Sequence, residues 1–189
     1  MDMSEADSKE RSGVAPPNLV SNENTTDERL TPLTATFCYS LAGVVLLVDQ
    51  STKSAIAYGL EYGEQIRITS LFNLVHVRNE GAAFSFLANA GGWQRYFLIT
   101  VALGVSIWLM RALRQRLPLY EAVGLSLILG GALGNVVDRI LRGAVVDFLD
   151  FYWGSMHWPA FNMADVAIFL GVICLLTSSM IRTNPVKSG

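Results

Sequence analysis

Residues 119–141 read LYEAVGLSLILGGALGNVVDRIL, an apolar run that ends in the polar cluster Gly134-Asn135-Val136-Val137-Asp138-Arg139. The run has about the 20 residues that a bilayer-spanning helix needs. Asn135, Asp138 and Arg139 have the i, i+3, i+4 spacing that places side chains on one face of a helix. Ionisable groups are costly at membrane depth, so this cluster indicates a functional site at the end of a membrane helix.

Three further segments have the same apolar character, at roughly 36–58, 94–113 and 162–182, although Asp49-Gln50 and Lys53 interrupt the first. Of the 189 residues, 51% are hydrophobic and only 16% are charged. A soluble domain of this size usually has about 25% charged residues. The sequence therefore predicts an all-α membrane protein with four transmembrane helices.

The polar ends of the chain differ from the apolar middle. Residues 1–35 hold seven of the 16 acidic residues but only three of the 14 basic ones, which makes the net charge negative, and we interpret them as a disordered polar tail. The membrane domain is predicted at 36–182, followed by a cytoplasmic tail at 183–189. Since no basic patch is present, we expect no nucleic-acid partner.

The distribution of Lys and Arg predicts the orientation of the helices. Arginine is concentrated in the short link 111–118, and the C-terminal tail is also basic, so both termini and this link should be cytoplasmic. The longer link between the first two helices alternates polar and apolar residues over Gln65–Thr69 and is β-prone from Phe72 to Val77. We therefore predict a small sheet at 62–87, on the outer membrane face.

This topology brings polar side chains from several segments to one layer near the outer leaflet. Asp49 and Lys53 lie in the outer half of the first helix, and the Asn79-Glu80-Gly81 turn lies on the same side. Asp147 lies in the connection after the third helix, and Asn162-Met163-Ala164-Asp165 begins the fourth. The convergence predicts a site near the periplasmic face.

Several of these residues also have a purely structural interpretation. Asn162 could cap the fourth helix with Asp165 in its first turn, which is a common helix start. Asp49 and Lys53 could form an internal ion pair that makes the first helix tolerable in lipid.

Three other acidic residues of this region, Asp138, Asp147 and Asp150, differ in their sequence surroundings. Asp138 could form a structural pair with Arg139. Asp147 has the apolar neighbours Val146 and Phe148 and caps nothing obvious, whereas Asp150 is typical of an interfacial surface residue.

The residue types favour carboxylate chemistry. His76 and His157 lie in unrelated segments, so neither a zinc motif nor a histidine-activated nucleophile is supported. Two facing aspartates hold one proton between them, because the second charge is opposed by the first and by burial. The ionised one can take a proton from water while the protonated one polarises a carbonyl. The alternatives are a proton or ion pathway and a non-catalytic lipid-binding or assembly subunit.

Five sequence blocks closely resemble the signal peptidase II family, also called lipoprotein or prolipoprotein signal peptidases. They occur in family order: Asp49-Gln50-Ser51-Thr52-Lys53; Asn79-Glu80-Gly81-Ala82-Ala83-Phe84; Gly130 to Arg139; Val145-Val146-Asp147-Phe148; and Phe161-Asn162-Met163-Ala164-Asp165. The resemblance implies an aspartic endopeptidase of the bacterial inner membrane that needs no metal or other cofactor. It would remove signal peptides from diacylglyceryl-modified prolipoproteins, cutting just before the lipidated cysteine, and would act as a monomer among membrane lipids.

The resemblance places the catalytic pair on Asp147 and Asp165, with Asp138 as the competitor for the first role. The positions that it assigns to substrate binding or support are Asp49, Lys53, Asn79, Gly81, Asn135, Asp138, Arg139 and Asn162.

Overall fold

The structure, a computed structural model, describes residues 34–81 and 92–183. Apart from residues 34, 35 and 183, the two predicted tails lie outside the described residues. The 82–87 part of the predicted sheet also lies outside them.

Four helices begin and end within one residue of the predicted spans. They are α1 (Ala35–Gly59), α2 (Trp93–Ala112), α3 (Leu119–Leu141) and α4 (Met163–Thr183). In the described part of the chain, α2, α3 and α4 up to Arg182 are long and apolar enough to cross a membrane. α1 has 25 residues but carries Asp49, Gln50 and Lys53 in its second half. By length and composition, three of the four predicted transmembrane helices are therefore candidate membrane spans.

Helix α3 lies at the centre of the bundle and packs against α1, α2 and α4. Glycines make this close packing possible, because small residues let helix backbones approach. A Cβ at Gly130 would lie 2.6 Å from the Ala42 carbonyl oxygen of α1, and a Cβ at Gly131 would lie 2.5 Å from the Ala164 carbonyl oxygen of α4. A Cβ at Gly134 would overlap the Asp49 carboxylate. The sequence of α3 thus sets its distance from both neighbours.

We expect Gly134→Ala to lower the free energy of unfolding by about 1–3 kcal/mol, because overpacking a tight site forces side chains and backbone to shift. The displaced group would be the Asp49 carboxylate. Unfolding in detergent, followed by tryptophan fluorescence, measures the change. Gly104→Ala in α2 is the matched control, since a Cβ there meets nothing within 4 Å. Equal stabilities of the two variants would contradict the packing argument.

The small sheet has four antiparallel strands in the order β1-β2-β3-β4. They are β1 (Gln65–Arg67), β2 (Phe72–Asn79), β3 (Val145–Trp153) and β4 (Met156–His157). The prediction of strands in the first link is confirmed, but placing the sheet only between the first two helices was wrong. The link between α3 and α4 supplies the other two strands. Residues 145–153 are rich in β-branched and aromatic types, but their pairing with β2 is a long-range contact that no local pattern reveals.

The sheet lies where α1 and α3 end and where α2 and α4 begin, so the chain connections place it at one end of the bundle. An apolar cluster of Ile56, Val146 and Phe148 joins the end of α1 to β3. This contact holds the third strand against the helices and brings Asp147, the first of its two aspartates, to the bundle.

Candidate active site

Asp147 lies within β3, opposite Val77 of β2. The register of the two strands shifts between Leu74 and Val77, which marks a bulge next to this position. Only 3% of Asp147 is exposed, and Val146 and Phe148 on either side are buried in the apolar cluster. The predicted apolar surroundings of Asp147 are confirmed, although the residue belongs to a strand rather than to a simple connection.

Two asparagine side chains donate to the Asp147 carboxylate. Asn162 Nδ2 lies 2.6 Å from Oδ1, and Asn79 Nδ2 lies 3.0 Å from Oδ2. The Gly81 N–H donates to Asn79 Oδ1 over 2.9 Å and so orients the amide. Gly81 has φ +119°, a conformation that favours glycine. The turn after β2 therefore positions one donor of this carboxylate.

Asp165 lies in the first turn of α4 and forms a reciprocal cap with Asn162. The Asp165 N–H donates to Asn162 Oδ1 over 3.1 Å, and the Asn162 N–H donates to Asp165 Oδ2 over 3.2 Å. This arrangement is a capping box, which satisfies two N–H groups at the helix start. The capping interpretation of Asn162 is confirmed, and the same residue also bonds Asp147. Asn162 therefore contacts both aspartates at once.

Asn135 of α3 links Asp165 to a buried cation. Asn135 Nδ2 donates to Asp165 Oδ1 over 3.0 Å, and Asn135 Oδ1 accepts from Lys53 Nζ over 2.9 Å. Asp165 is only half-buried, so water can approach it. The Asn135 amide therefore holds the Asp165 carboxylate in a fixed position relative to Lys53.

Lys53 is completely buried and neutralised by two carboxylates. Its Nζ lies 2.9 Å from Asp49 Oδ2 and 3.1 Å from Asp138 Oδ2. The predicted ion pair of Asp49 and Lys53 is present. Asp49 Oδ1 also accepts from the Ala164 N–H over 2.9 Å, so the pair extends to the first turn of α4. Breaking such a pair by removing one partner is costly because a charge remains buried alone.

Asp138 is fully buried and accepts bonds at both oxygens. Besides Lys53, it accepts from the Val146 N–H over 3.0 Å and forms an ion pair with Arg142. Arg139, the partner considered from the sequence, instead donates to the Asn135 carbonyl oxygen over 3.3 Å. Its Nε is buried and, among the described residues, has no hydrogen-bond partner. Asp138 thus joins α1, α3 and β3.

Two residues of this network, Gln50 and Arg142, are additions to the site expected from sequence. Gln50 Nε2 lies 3.1 Å from both Asp49 Oδ2 and Asp138 Oδ1. Arg142 donates to Gln50 Oε1 and to Ser54 Oγ, each over 3.0 Å. The i, i+4 spacing of Asp138 and Arg142 was a usable signal for their pairing.

Burial raises the pKa of Asp147 to about 6, from an ordinary value of 3.8. The hydrogen bonds from Asn162 and Asn79 oppose the rise, the charge of Asp165 adds to it, and the charge of Lys53 lowers it. The influence of Asp165 shows that the two carboxylates are electrostatically coupled. Below about pH 6 Asp147 therefore keeps its proton, and the pair does not carry two negative charges.

The interpretation of Asp150 as an interfacial surface residue was wrong. Its carboxylate is buried, accepts from Asn73 Nδ2 over 2.8 Å and lies 2.9 Å from His157 Nδ1. The sheet supplies these partners from β2 and β4, which the sequence pattern did not place beside it. Within residues 34–81 and 92–183, no group of three or more His, Cys, Asp or Glu residues could hold a metal ion.

The family model described as signal peptidase (SPase) II matches residues 41–181. A lipoprotein signal peptidase of Serratia marcescens is 49% identical over 142 residues, which cover 75% of this chain and 84% of the relative. One of Cupriavidus taiwanensis is 50% identical over 149 residues, covering 77% and 83%. A solved bacterial membrane enzyme, determined by the in meso method at 2.3 Å, has a TM-score of 0.72 and 29% identity. That alignment covers 84% of this chain and 96% of the enzyme.

Proposed function

Because this chain belongs to the signal peptidase II family, we propose that it removes signal peptides from prolipoproteins as an aspartic endopeptidase that uses Asp147 and Asp165. The cut would fall just before the cysteine that carries diacylglycerol. The observation that carries the catalytic assignment is the shared contact of both aspartates with Asn162. Because the two carboxylates come from different elements and contact the same residue, this contact supports their joint action on one peptide bond.

The chemistry requires one ionised and one protonated carboxyl group. The ionised Asp165 takes a proton from a water molecule as the water oxygen attacks the scissile carbonyl carbon. The protonated Asp147 donates a hydrogen bond to the carbonyl oxygen as negative charge develops there. Collapse of the tetrahedral intermediate breaks the C–N bond as Asp165 gives the proton that it took from water to the leaving nitrogen of the cysteine. The signal peptide leaves with a new carboxylate.

The competing assignment, with Asp138 as a catalytic acid, has less support. Both Asp138 oxygens accept bonds from Lys53, Arg142, Gln50 and a backbone N–H, and the side chain is inaccessible. We infer that Asp138, Asp49 and Lys53 hold the site together. We propose that Arg139, whose Nε is buried and has no hydrogen-bond partner in the described region, binds a carbonyl oxygen of the substrate backbone or lipid ester.

We propose that α1 is the fourth transmembrane helix, with Asp49 and Lys53 neutralising each other inside the bundle. The basic 111–118 link would then be cytoplasmic, as would both termini. The end of the bundle that carries the sheet would face the periplasm. A monomer suffices, because one chain supplies both aspartates.

The purified protein should cleave a precursor that carries diacylglycerol at least about 10²-fold faster than the same precursor without the lipid. Burying only about four methylene groups accounts for such a factor. The measurement is the cleavage rate in detergent, followed by gel shift and mass spectrometry. A precursor with serine in place of the lipidated cysteine is the control. Equal cleavage of modified and unmodified precursors would refute the proposed specificity.

The value of kcat/KM should fall as the pH rises through about 6, because Asp147 then loses the proton that it offers to the carbonyl oxygen. In Asn79→Leu the decrease in kcat/KM should occur at higher pH. The Asp147 carboxylate loses a hydrogen-bond donor, which raises its pKa and favours the protonated acid. Asn73→Leu removes a similar amide that is bonded to Asp150, and it should not change the pH at which kcat/KM decreases. Activity that increases through pH 6 would instead require an ionised Asp147.

A further inference from the structure

A cavity of about 650 Å³ lies between the first turn of α2, the end of α3 and the end of β2. We call it the arginine cavity, because Arg78, Arg95 and Arg142 line it against a single carboxylate, that of Glu80. Its volume falls in the range of small-molecule pockets. The excess of positive charge points to an anionic occupant.

The arginines of the arginine cavity differ in how fully their N–H groups are hydrogen-bonded. Arg142 is bonded to Asp138, Gln50 and Ser54, so it belongs to the buried network. Arg95 donates one Nη2 bond, over 3.1 Å, to the Ile140 carbonyl oxygen. Its Nε is buried and has no hydrogen-bond partner in the described part of the chain. An unpaired buried donor is costly, so a ligand that accepts from it gains free energy.

Two further features of the cavity wall point to a ligand. The first is the start of α2, where the N-cap is Gly92 and no side chain caps the helix, which leaves the positive end of the helix dipole at the cavity. The second is Gln94, which is only 3% exposed. Its Oε1 has no partner within residues 34–81 and 92–183. This amide oxygen suits a hydroxyl donor on the ligand.

We propose that the arginine cavity binds the headgroup of an anionic phospholipid that has a phosphodiester and free hydroxyl groups. The phosphodiester accepts from Arg95 and Arg78, and a hydroxyl donates to Gln94 Oε1. Trp93 and Tyr96, exposed on the same turn of α2, lie where aromatic rings mark a membrane interface. The uncharged diacylglyceryl group of the proposed substrate has no need of the cationic Arg78 and Arg95, so this occupant is a separate molecule.

The test is a titration of the delipidated full chain in detergent with dihexanoyl phosphatidylglycerol, followed by calorimetry. We expect saturable binding of one lipid per protein. Arg95→Gln and Arg78→Gln should each weaken the affinity about fivefold or more, from the loss of one interfacial arginine. Arg111→Gln is the matched control, since this exposed arginine lies at the opposite end of α2. Arg78 is exposed and contacts Tyr62 by a cation–π interaction, so its replacement leaves the buried network intact.

Three other ligands separate the possible occupants. Dihexanoyl phosphatidylcholine should bind at least about fivefold more weakly, because its headgroup has no net charge and no hydroxyl donor. Equal binding of inorganic phosphate would assign the cavity to a free anion, and displacement of the lipid by an acidic peptide would assign it to a polypeptide. Either of these two results would overturn the proposal. So would equal affinities for the two lipids, or a loss of affinity in Arg111→Gln as large as that in Arg95→Gln.

Discussion

Asp147→Asn and Asp165→Asn are each expected to lower kcat/KM for a lipidated precursor by at least about 10³-fold. In the proposed mechanism each change removes one of the two groups that transfer or hold a proton, and such groups contribute about 10²–10⁴-fold. Because Asn and Asp have nearly the same shape, the fold should survive. Rates measured on folded, monodisperse protein separate lost chemistry from lost structure.

Asp150→Asn is the matched control for this pair. Asp150 is buried on the same strand as Asp147, but its carboxylate contacts Asn73 and His157 instead of Asn162. Its replacement should leave the rate within about tenfold of the unmodified protein, since Asp150 touches no reacting atom. If Asp147→Asn retained normal cleavage while folded Asp138→Asn lost it, the catalytic pair would have to be reassigned.

Lys53→Met should lower the free energy of unfolding by about 3–5 kcal/mol, because Asp49 would stay buried without its cation and Asp138 would keep only Arg142. Activity should fall as well, since Asn135 would lose the partner that holds it against Asp165. Denaturant unfolding in detergent gives the first quantity, and cleavage of a lipidated precursor gives the second.

Two comparisons test whether burial causes that loss. Arg182→Met removes a cation from the pair with Glu121, where Arg182 is 61% exposed. This change should cost less than about 1 kcal/mol, as surface pairs do. Adding Asp49→Asn to Lys53→Met should restore part of the stability by removing one unpaired charge. A Lys53→Met protein as stable as Arg182→Met would show that the network contributes little.

The helices could be predicted from sequence because each coincides with an apolar run bounded by polar residues. The start of α4 is a good example, since Asn162 and Asp165 form a cap whose spacing is visible in the chain. The sheet was only half predictable. β1 and β2 follow a local alternation, whereas the pairing of β3 with β2 joins residues about 70 positions apart.

The same distinction applies to the candidate site. Its residues were visible as polar groups in apolar surroundings, and the resemblance assigned them possible roles. The contacts of Gln50 and Arg142 depend on how α1 meets α3, which no short motif specifies. Asp150 was misjudged because its partners come from strands on either side of β3.

Asn162 is at once the first cap of α4 and a donor to Asp147. The start of this helix and the positions of the two acids consequently depend on the same residue. A chain whose last helix has started one residue early or late cannot hold both carboxylates. With Asp147 and Asp165 as the proposed catalytic pair, hydrolytic competence depends on the finished fold, and a partly folded chain would not hydrolyse neighbouring proteins.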